Sequence, residues 1–215
     1  RLTLEGPVIN DKSSFIIGSR TTYDKWLQNL LPNQYKNSKA GFYDFNINVN
    51  HEIDKKNSLF LTAYLSKDNF NLNSDTSYNY GNNNISLKWK HIFNNRLYFL
   101  VSTGYDSYQY KISSASNPIN AYKLGFDINQ LNFKTNFNYF VNTKHTIEFG
   151  LSSILYKLHP GNYDPVGKES LVAQDKVEAE QGLESALYVS DKYNITPALA
   201  IETGIRYSMF NVLGP

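Results

Sequence analysis

The feature that most constrains this chain is a period of two in hydrophobicity, sustained over segments of about ten residues and repeated along its length. From Gly41 to Glu52 the odd positions hold Tyr43, Phe45, Ile47 and Val49, and the even ones hold Asp44, Asn46, Asn48 and Asn50. Successive side chains of a strand point to opposite faces, so this is a ribbon with one apolar and one polar side. The same alternation sets Leu59, Leu61, Ala63 and Leu65 against Ser58, Thr62 and Ser66. It sets Ile85, Leu87 and Trp89 against Ser86, Lys88 and Lys90. Leu131, Phe133, Phe137 and Tyr139 oppose Asn132, Lys134, Asn136 and Asn138, while Leu199, Ile201, Ile205 and Tyr207 oppose Glu202, Gly204, Arg206 and Ser208. Leu97 to Val101 and Ile147 to Leu151 repeat it, and weaker strands fit Phe15 to Tyr23 and Leu183 to Val189. Short helices are expected only within connections, over Asp24 to Pro32 and over Lys168 to Gln181.

The connections alternate too. Short polar turns are predicted at Asn10 to Lys12, Asp54 to Asn57, Asn94-Asn95, Asn142 to Lys144 and Asp191 to Asn194. Longer links fall at Asp24 to Ala40, Lys67 to Asn83, Lys111 to Asn120 and His159 to Lys176. In an up-and-down antiparallel sheet this order puts tight turns at one end and large loops at the other, the sidedness of a bacterial outer-membrane barrel. A soluble β-sandwich also alternates apolar and polar residues and is the competing architecture. Strands of about 10 to 13 residues exceed the soluble mode and suit a tilted crossing of a bilayer. Aromatics near strand ends on the apolar faces, such as Tyr43, Phe93, Tyr105, Phe133, Tyr139 and Tyr207, suit an interfacial girdle.

Composition narrows the function classes. The 21 Lys and Arg are scattered among 19 Asp and Glu, for a net charge of +2, so no nucleic-acid face can be read off. The chain has no cysteine, which removes disulfides, zinc ribbons and thiol nucleophiles. No apolar run reaches the roughly 18 residues a spanning helix needs. The first residues form no signal-peptide h-region, and the chain reads as an internal piece of a longer protein.

Catalytic, metal-binding and cofactor chemistry find no motif. His51, His91, His145 and His159 lack metal-ligand spacing, and there is no nucleophile elbow, P-loop or dinucleotide fingerprint. Asp44, Glu148, Glu184 and Glu202 are expected on polar faces, paired with Lys88, Lys90, Lys134 and Arg206 along a water-filled lumen. Ligand contacts, if made here, would come from rings near the long links: Trp26, Tyr35, Tyr78, Tyr80, Tyr108, Tyr110, Tyr122 and Tyr163. Such rings stack on sugars or flat chelates, and equally serve an upper girdle or brace loops.

The opening Arg1-Leu2-Thr3-Leu4-Glu5-Gly6-Pro7-Val8-Ile9, with Asp11 to Phe15 and Ser19 to Tyr23, resembles early barrel strands of Bacteroidetes-type TonB-dependent outer-membrane receptors. Phe42 to Asn46, Leu59 to Tyr64, Lys144 to Gly150 and Thr203 to Ser208 resemble later strands of the same family. The resemblance implies an all-β, antiparallel, up-and-down transmembrane β-barrel of 22 strands around a plug. Residues 1–215 would supply about nine full strands plus a tail of that one domain, with plug and terminal strands elsewhere. It further implies residence in the bacterial outer membrane and energised import of a large nutrient: an iron chelate, a corrinoid or an oligosaccharide. The implied partners are membrane lipid, the remaining strands and plug, the inner-membrane TonB complex and a surface lipoprotein lid. The alternatives from other classes are a secreted or surface carbohydrate-binding or adhesion module, and a barrel enzyme, which would need a polar triad at one rim.

Overall fold

Three of the tight turns are built by one device. The Asp54 carboxylate accepts the amides of Lys56 (2.7 Å) and Asn57 (2.9 Å), Asn94 Oδ1 those of Arg96 and Leu97, and Asn142 Oδ1 those of Lys144 and His145. A short polar side chain thus satisfies the two amides that reversal leaves unpaired. These turns link consecutive strands into antiparallel hairpins in a computed structural model, which describes residues 1–9, 12–22, 32, 35, 38–72 and 76–215.

The strands are β1 (Leu2–Ile9), β2 (Ser13–Thr21), β3 (Lys39–Asp54), β4 (Asn57–Leu72), β5 (Thr76–Asn94) and β6 (Leu97–Ser114). There follow β7 (Tyr122–Phe140), β8 (His145–Pro165), β9 (Asp175–Lys176), β10 (Glu180–Thr196) and β11 (Leu199–Gly214). They form one sheet in the order β1-β2-β3-β4-β5-β6-β7-β8-β10-β11, with β9 paired to β8. The ladder is antiparallel throughout, and β1 and β11 are its open edges.

The alternation holds across strands as well as along them. One ladder row runs Ile47, Ala63, Ile85, Tyr105, Leu131, Leu155, Leu183; the row one residue below runs Asn48, Thr62, Ser86, Gly104, Asn132, Ile154, Glu184. Each register therefore collects apolar side chains on one face and mostly polar ones on the other. On β7 the apolar stretch from Leu131 to Tyr139 covers about nine residues, roughly 30 Å of strand, which a tilt of about 40° reduces to near the 25 Å band of transmembrane barrels.

No second layer covers that band. Among the described residues the only buried hydrophobic side chains are Ala121 and Ala186, whereas Ile85 (51 %), Leu131 (53 %) and Leu187 (61 %) are open and Asp44, Ser66 and Asn138 are buried. A sandwich would show the reverse, so that architecture is excluded. Each large aliphatic side chain left in water forgoes about 1.5–3 kcal/mol, and a contiguous face of them needs an apolar surrounding.

Three expectations are corrected. β3 to β8, β10 and β11 are 16 to 21 residues long rather than 10 to 13. They run on into the segments read as long links, because above the apolar band both faces meet water and the alternation fades while backbone pairing continues. β4 and β5 consequently stay paired out to Leu72 and Thr76, through most of the span read as a long link. The last turn falls at Pro197-Ala198, beyond Asp191 to Asn194, which remain paired in β10. Residues 168–181 hold β9 and the start of β10 instead of a helix. Leu2–Ile9 form a strand, β1, as the resemblance of the opening residues to early barrel strands implied, and ten strands make up the continuous ladder. The helix expected over Asp24 to Pro32 lies outside the described residues, save Pro32.

Candidate functional site

Strand parity gathers the expected aromatics on the polar face, toward the end bearing the longer connections. One row runs Phe42, Asp68, Tyr80, Tyr110, Phe126, and the next Asp44, Ser66, Asn82, Tyr108, Ile128. Tyr80 stacks on Tyr110 at 5.0 Å between centroids, and Phe126 lies 5.0 Å from Tyr110 and 6.0 Å from Tyr108. Tyr78 pairs with Phe70 at 6.2 Å, and Tyr122 with Tyr163 at 5.1 Å.

Tyr35 stands apart. It is exposed, in the β2–β3 connection, and joins no ring pair among the described residues. Trp26 lies outside the described residues. Phe42, Phe70 and Phe126, which complete the patch, were not among the expected site residues. Their signal is present: Tyr78/Tyr80 and Tyr108/Tyr110 are spaced by two, as Phe126 is from Leu124 and Ile128, so the strand period continues through supposed loops.

Below the patch the polar face is a network of amides and carboxylates. Asp106 accepts from Asn84 and from Asn132 Nδ2 (2.8 Å), Asn82 donates to Ser66 (3.2 Å), and Thr62 donates to Asn48 (3.1 Å). Arg20 Nε donates to the buried Asp44 carboxylate at 2.7 Å. Asp44 is thus paired, with an arginine outside the expected set.

Lys88, Lys90, Lys134, Glu148, Glu202 and Arg206 all sit on this same face by ladder register. Only Arg206 finds a carboxylate among the described residues, Glu184 at 4.0 Å, while Lys90 lies over the Tyr98 ring (5.2 Å) and Lys134 over the Tyr188 ring (5.6 Å). Rings replace most of the expected ion pairs, since they stabilise a cation without a second desolvated charge.

The histidines are structural. His145 Nδ1 donates to Asp191, His159 Nδ1 to Asp127 and His91 Nδ1 to Asn57, each at 2.7 Å, and His51 shares a hydrogen bond with Ser13. His91 also belongs to an apolar-face belt at the turn end: Trp89 and Phe93 both meet His91 and Phe99, Phe99 meets Phe137, and Phe137 stacks on Phe149 at 5.1 Å. Such a belt is where amphipathic rings meet a membrane–water boundary. No group of three or more metal-ligating side chains occurs among the described residues.

No family model and no curated protein sequence matches the chain. Solved structures do. The copper transporter OprC aligns with TM-score 0.71 at 8% identity, covering 94% of this chain and 33% of that one. BauA, the ferric preacinetobactin receptor from Acinetobacter baumannii, aligns with TM-score 0.70 at 10% identity over 97% of this chain and 38% of that one. A variant of the ferric enterobactin receptor PfeA from Pseudomonas aeruginosa aligns with TM-score 0.70 at 14% identity over 99% of this chain and 36% of that one. The chain spans about a third of the length of these proteins. Its fold is that of part of the β-barrel of TonB-dependent outer-membrane receptors.

Proposed function

We propose that residues 1–215 form part of the barrel wall of a TonB-dependent receptor in a bacterial outer membrane, importing a large nutrient and not catalysing a reaction. The observation that carries this reading is the inverted surface: Ile85, Leu131 and Leu187 are open on one face while Asp44 and Asn138 are buried on the other. Lipid satisfies the first face and a hydrated lumen the second. The unpaired edges of β1 and β11 would be intolerable in hydrocarbon, so further strands of the same receptor must close the barrel. A plug, the TonB complex and any surface lipoprotein would be partners of the whole receptor, the plug seated against the polar face of its barrel wall.

Within this reading the Tyr78–Tyr80–Tyr108–Tyr110 patch, with Tyr122 and Tyr163, lines the external mouth and receives the ligand. Its polar neighbours are Asp44, Asp68, Ser66 and Asn82, with Arg20 already engaged by Asp44. A neutral, hydroxyl-rich ligand such as an oligosaccharide fits that lining of rings, amides and hydroxyls better than a polyanionic chelate, which would meet the carboxylates of Asp44 and Asp68.

Uptake by cells expressing the full-length parent tests this. Labelled oligosaccharide, ferric chelate and corrinoid are offered with and without a protonophore. The reading expects one of the three, the oligosaccharide first, to enter only when cells are energised. A parent that stays in the aqueous fraction without detergent would overturn it.

A further inference from the structure

At the upper edge of the apolar band, the outward face carries two adjoining hollows. The lower, of about 250 Å³, is lined by Phe45, Ala63, Leu65, Ile85 and Tyr105, and its depth comes from Ala63, a small residue among large ones. The upper, of about 390 Å³, is lined by Tyr43, Lys67, Gly81, Gln109 and Lys111, and the two share Leu65 and Asn83. Register explains the upper notch. Lys67, Gly81 and Gln109 are consecutive in one cross-strand row on the apolar-band face, and Lys111 stands one same-face position farther up β6. Gly81 supplies a bare backbone floor; a Cβ there would meet only the Ser66 carbonyl at 3.9 Å.

Lys67 and Lys111 form no ion pair among the described residues. The outward-facing carboxylates nearby are already engaged, Asp127 by His159 and Asn129, and Asp164 by Lys123 and Gln174. A positive, hydrogen-bonding notch therefore opens directly onto an apolar dent, at the level where acyl chains give way to headgroups. A soluble anion would fill the notch and leave the dent to water; an uncharged chain would do the opposite.

We propose that the two hollows form one site for a phosphate-bearing membrane lipid, with Lys67 and Lys111 holding its headgroup and an acyl chain lying over Ala63 between Phe45, Leu65 and Ile85. This rests on the membrane-barrel reading, and it assigns to the outer wall a ligand distinct from the cargo in the lumen. Two ammonium groups at a membrane surface favour an anionic headgroup together by roughly thirtyfold.

The test uses the detergent-purified full-length parent and native mass spectrometry, with phosphatidylglycerol, phosphatidylcholine and inorganic phosphate as probes. Expected is retention of phosphatidylglycerol over phosphatidylcholine, lowered roughly thirtyfold in the Lys67→Gln/Lys111→Gln double variant. Ala63→Phe, which fills the dent, should lower it too, whereas Lys55→Gln/Lys56→Gln at the turn end should not. Equal retention by the two double variants, or inorganic phosphate displacing the lipid at matching concentration, would overturn the site. A parent that needs no detergent would instead overturn the membrane reading, so the two failures are distinguishable.

Discussion

Tyr188 lies across Gly150. The two are cross-strand partners on the polar face, and the tyrosine hydroxyl passes over the glycine to donate to the Thr135 carbonyl and to Asn136 Oδ1, both at 3.0 Å. A methyl on Gly150 would overlap the Thr135 carbonyl oxygen and lie 2.7 Å from the Tyr188 hydroxyl. Gly150→Ala should therefore lower the stability of the full-length barrel by about 1–3 kcal/mol, as overpacking does, and Tyr188→Phe by about 1 kcal/mol for the lost hydrogen bonds. Thermal unfolding followed by heat-modified gel migration reads both. Since the main clash is with backbone, adding Tyr188→Ala to Gly150→Ala should fail to restore stability.

The two faces should respond oppositely to charge. Val101→Arg, in the ladder row midway between Leu131 and Tyr139 on the apolar band, should cost about 2–4 kcal/mol. Lys134→Leu, in the adjacent row on the polar face, should stay within about 1 kcal/mol because it removes a cation resting on the Tyr188 ring. Folding titrations of the parent into lipid vesicles provide the comparison.

Asp54 gives the turn-end hairpin a defined pH response. The amide of Lys56, then the Asn57 side chain, hold its carboxyl below the ordinary carboxylate range, with His91 adding a smaller pull in the same direction. Because the folded pKa is depressed, its stabilisation is complete above the unfolded value and is lost as pH falls through the folded one. Amide exchange at Lys56 and Asn57 should accelerate below that point. Asp54→Asn should be tolerated at neutral pH, since Asn94 and Asn142 perform the same task in their turns, and should abolish the acid response.

At the mouth, Tyr80→Ala and Tyr110→Ala should each weaken cargo binding about five- to tenfold, the worth of one stacked ring, without changing heat-modified migration. Lys67→Gln leaves this binding unchanged because it faces the other way. Equilibrium binding to whole cells separates the two effects.

How much of this was legible in residue order depends on where the strand sits. Within the band, water on one side and hydrocarbon on the other force the period of two, so Phe45/Asn46 or Leu131/Asn132 declare strand, face and register together. Above it both faces are wet, and Asn69 to Asn71 or Tyr78 to Asn82 look like loop although they are paired throughout. The mouth patch was half legible: its tyrosines stood out by type, but their convergence depends on ladder register, which brings Phe126 beside Tyr110 from 16 residues away. The Arg20–Asp44 pair and the cations over Tyr98 and Tyr188 were hidden for the same reason.

The central claim is that the odd-parity rows face lipid and the even-parity rows face water. The chain has no native cysteine, so single cysteines at Ile85, Leu131, Asn132 and Lys134 of the parent can each carry a nitroxide in reconstituted membranes. The account predicts that the labels at 85 and 131 relax preferentially with dissolved oxygen and those at 132 and 134 with a water-soluble nickel chelate. The opposite pattern, or equal access to the nickel chelate at all four positions, would contradict it.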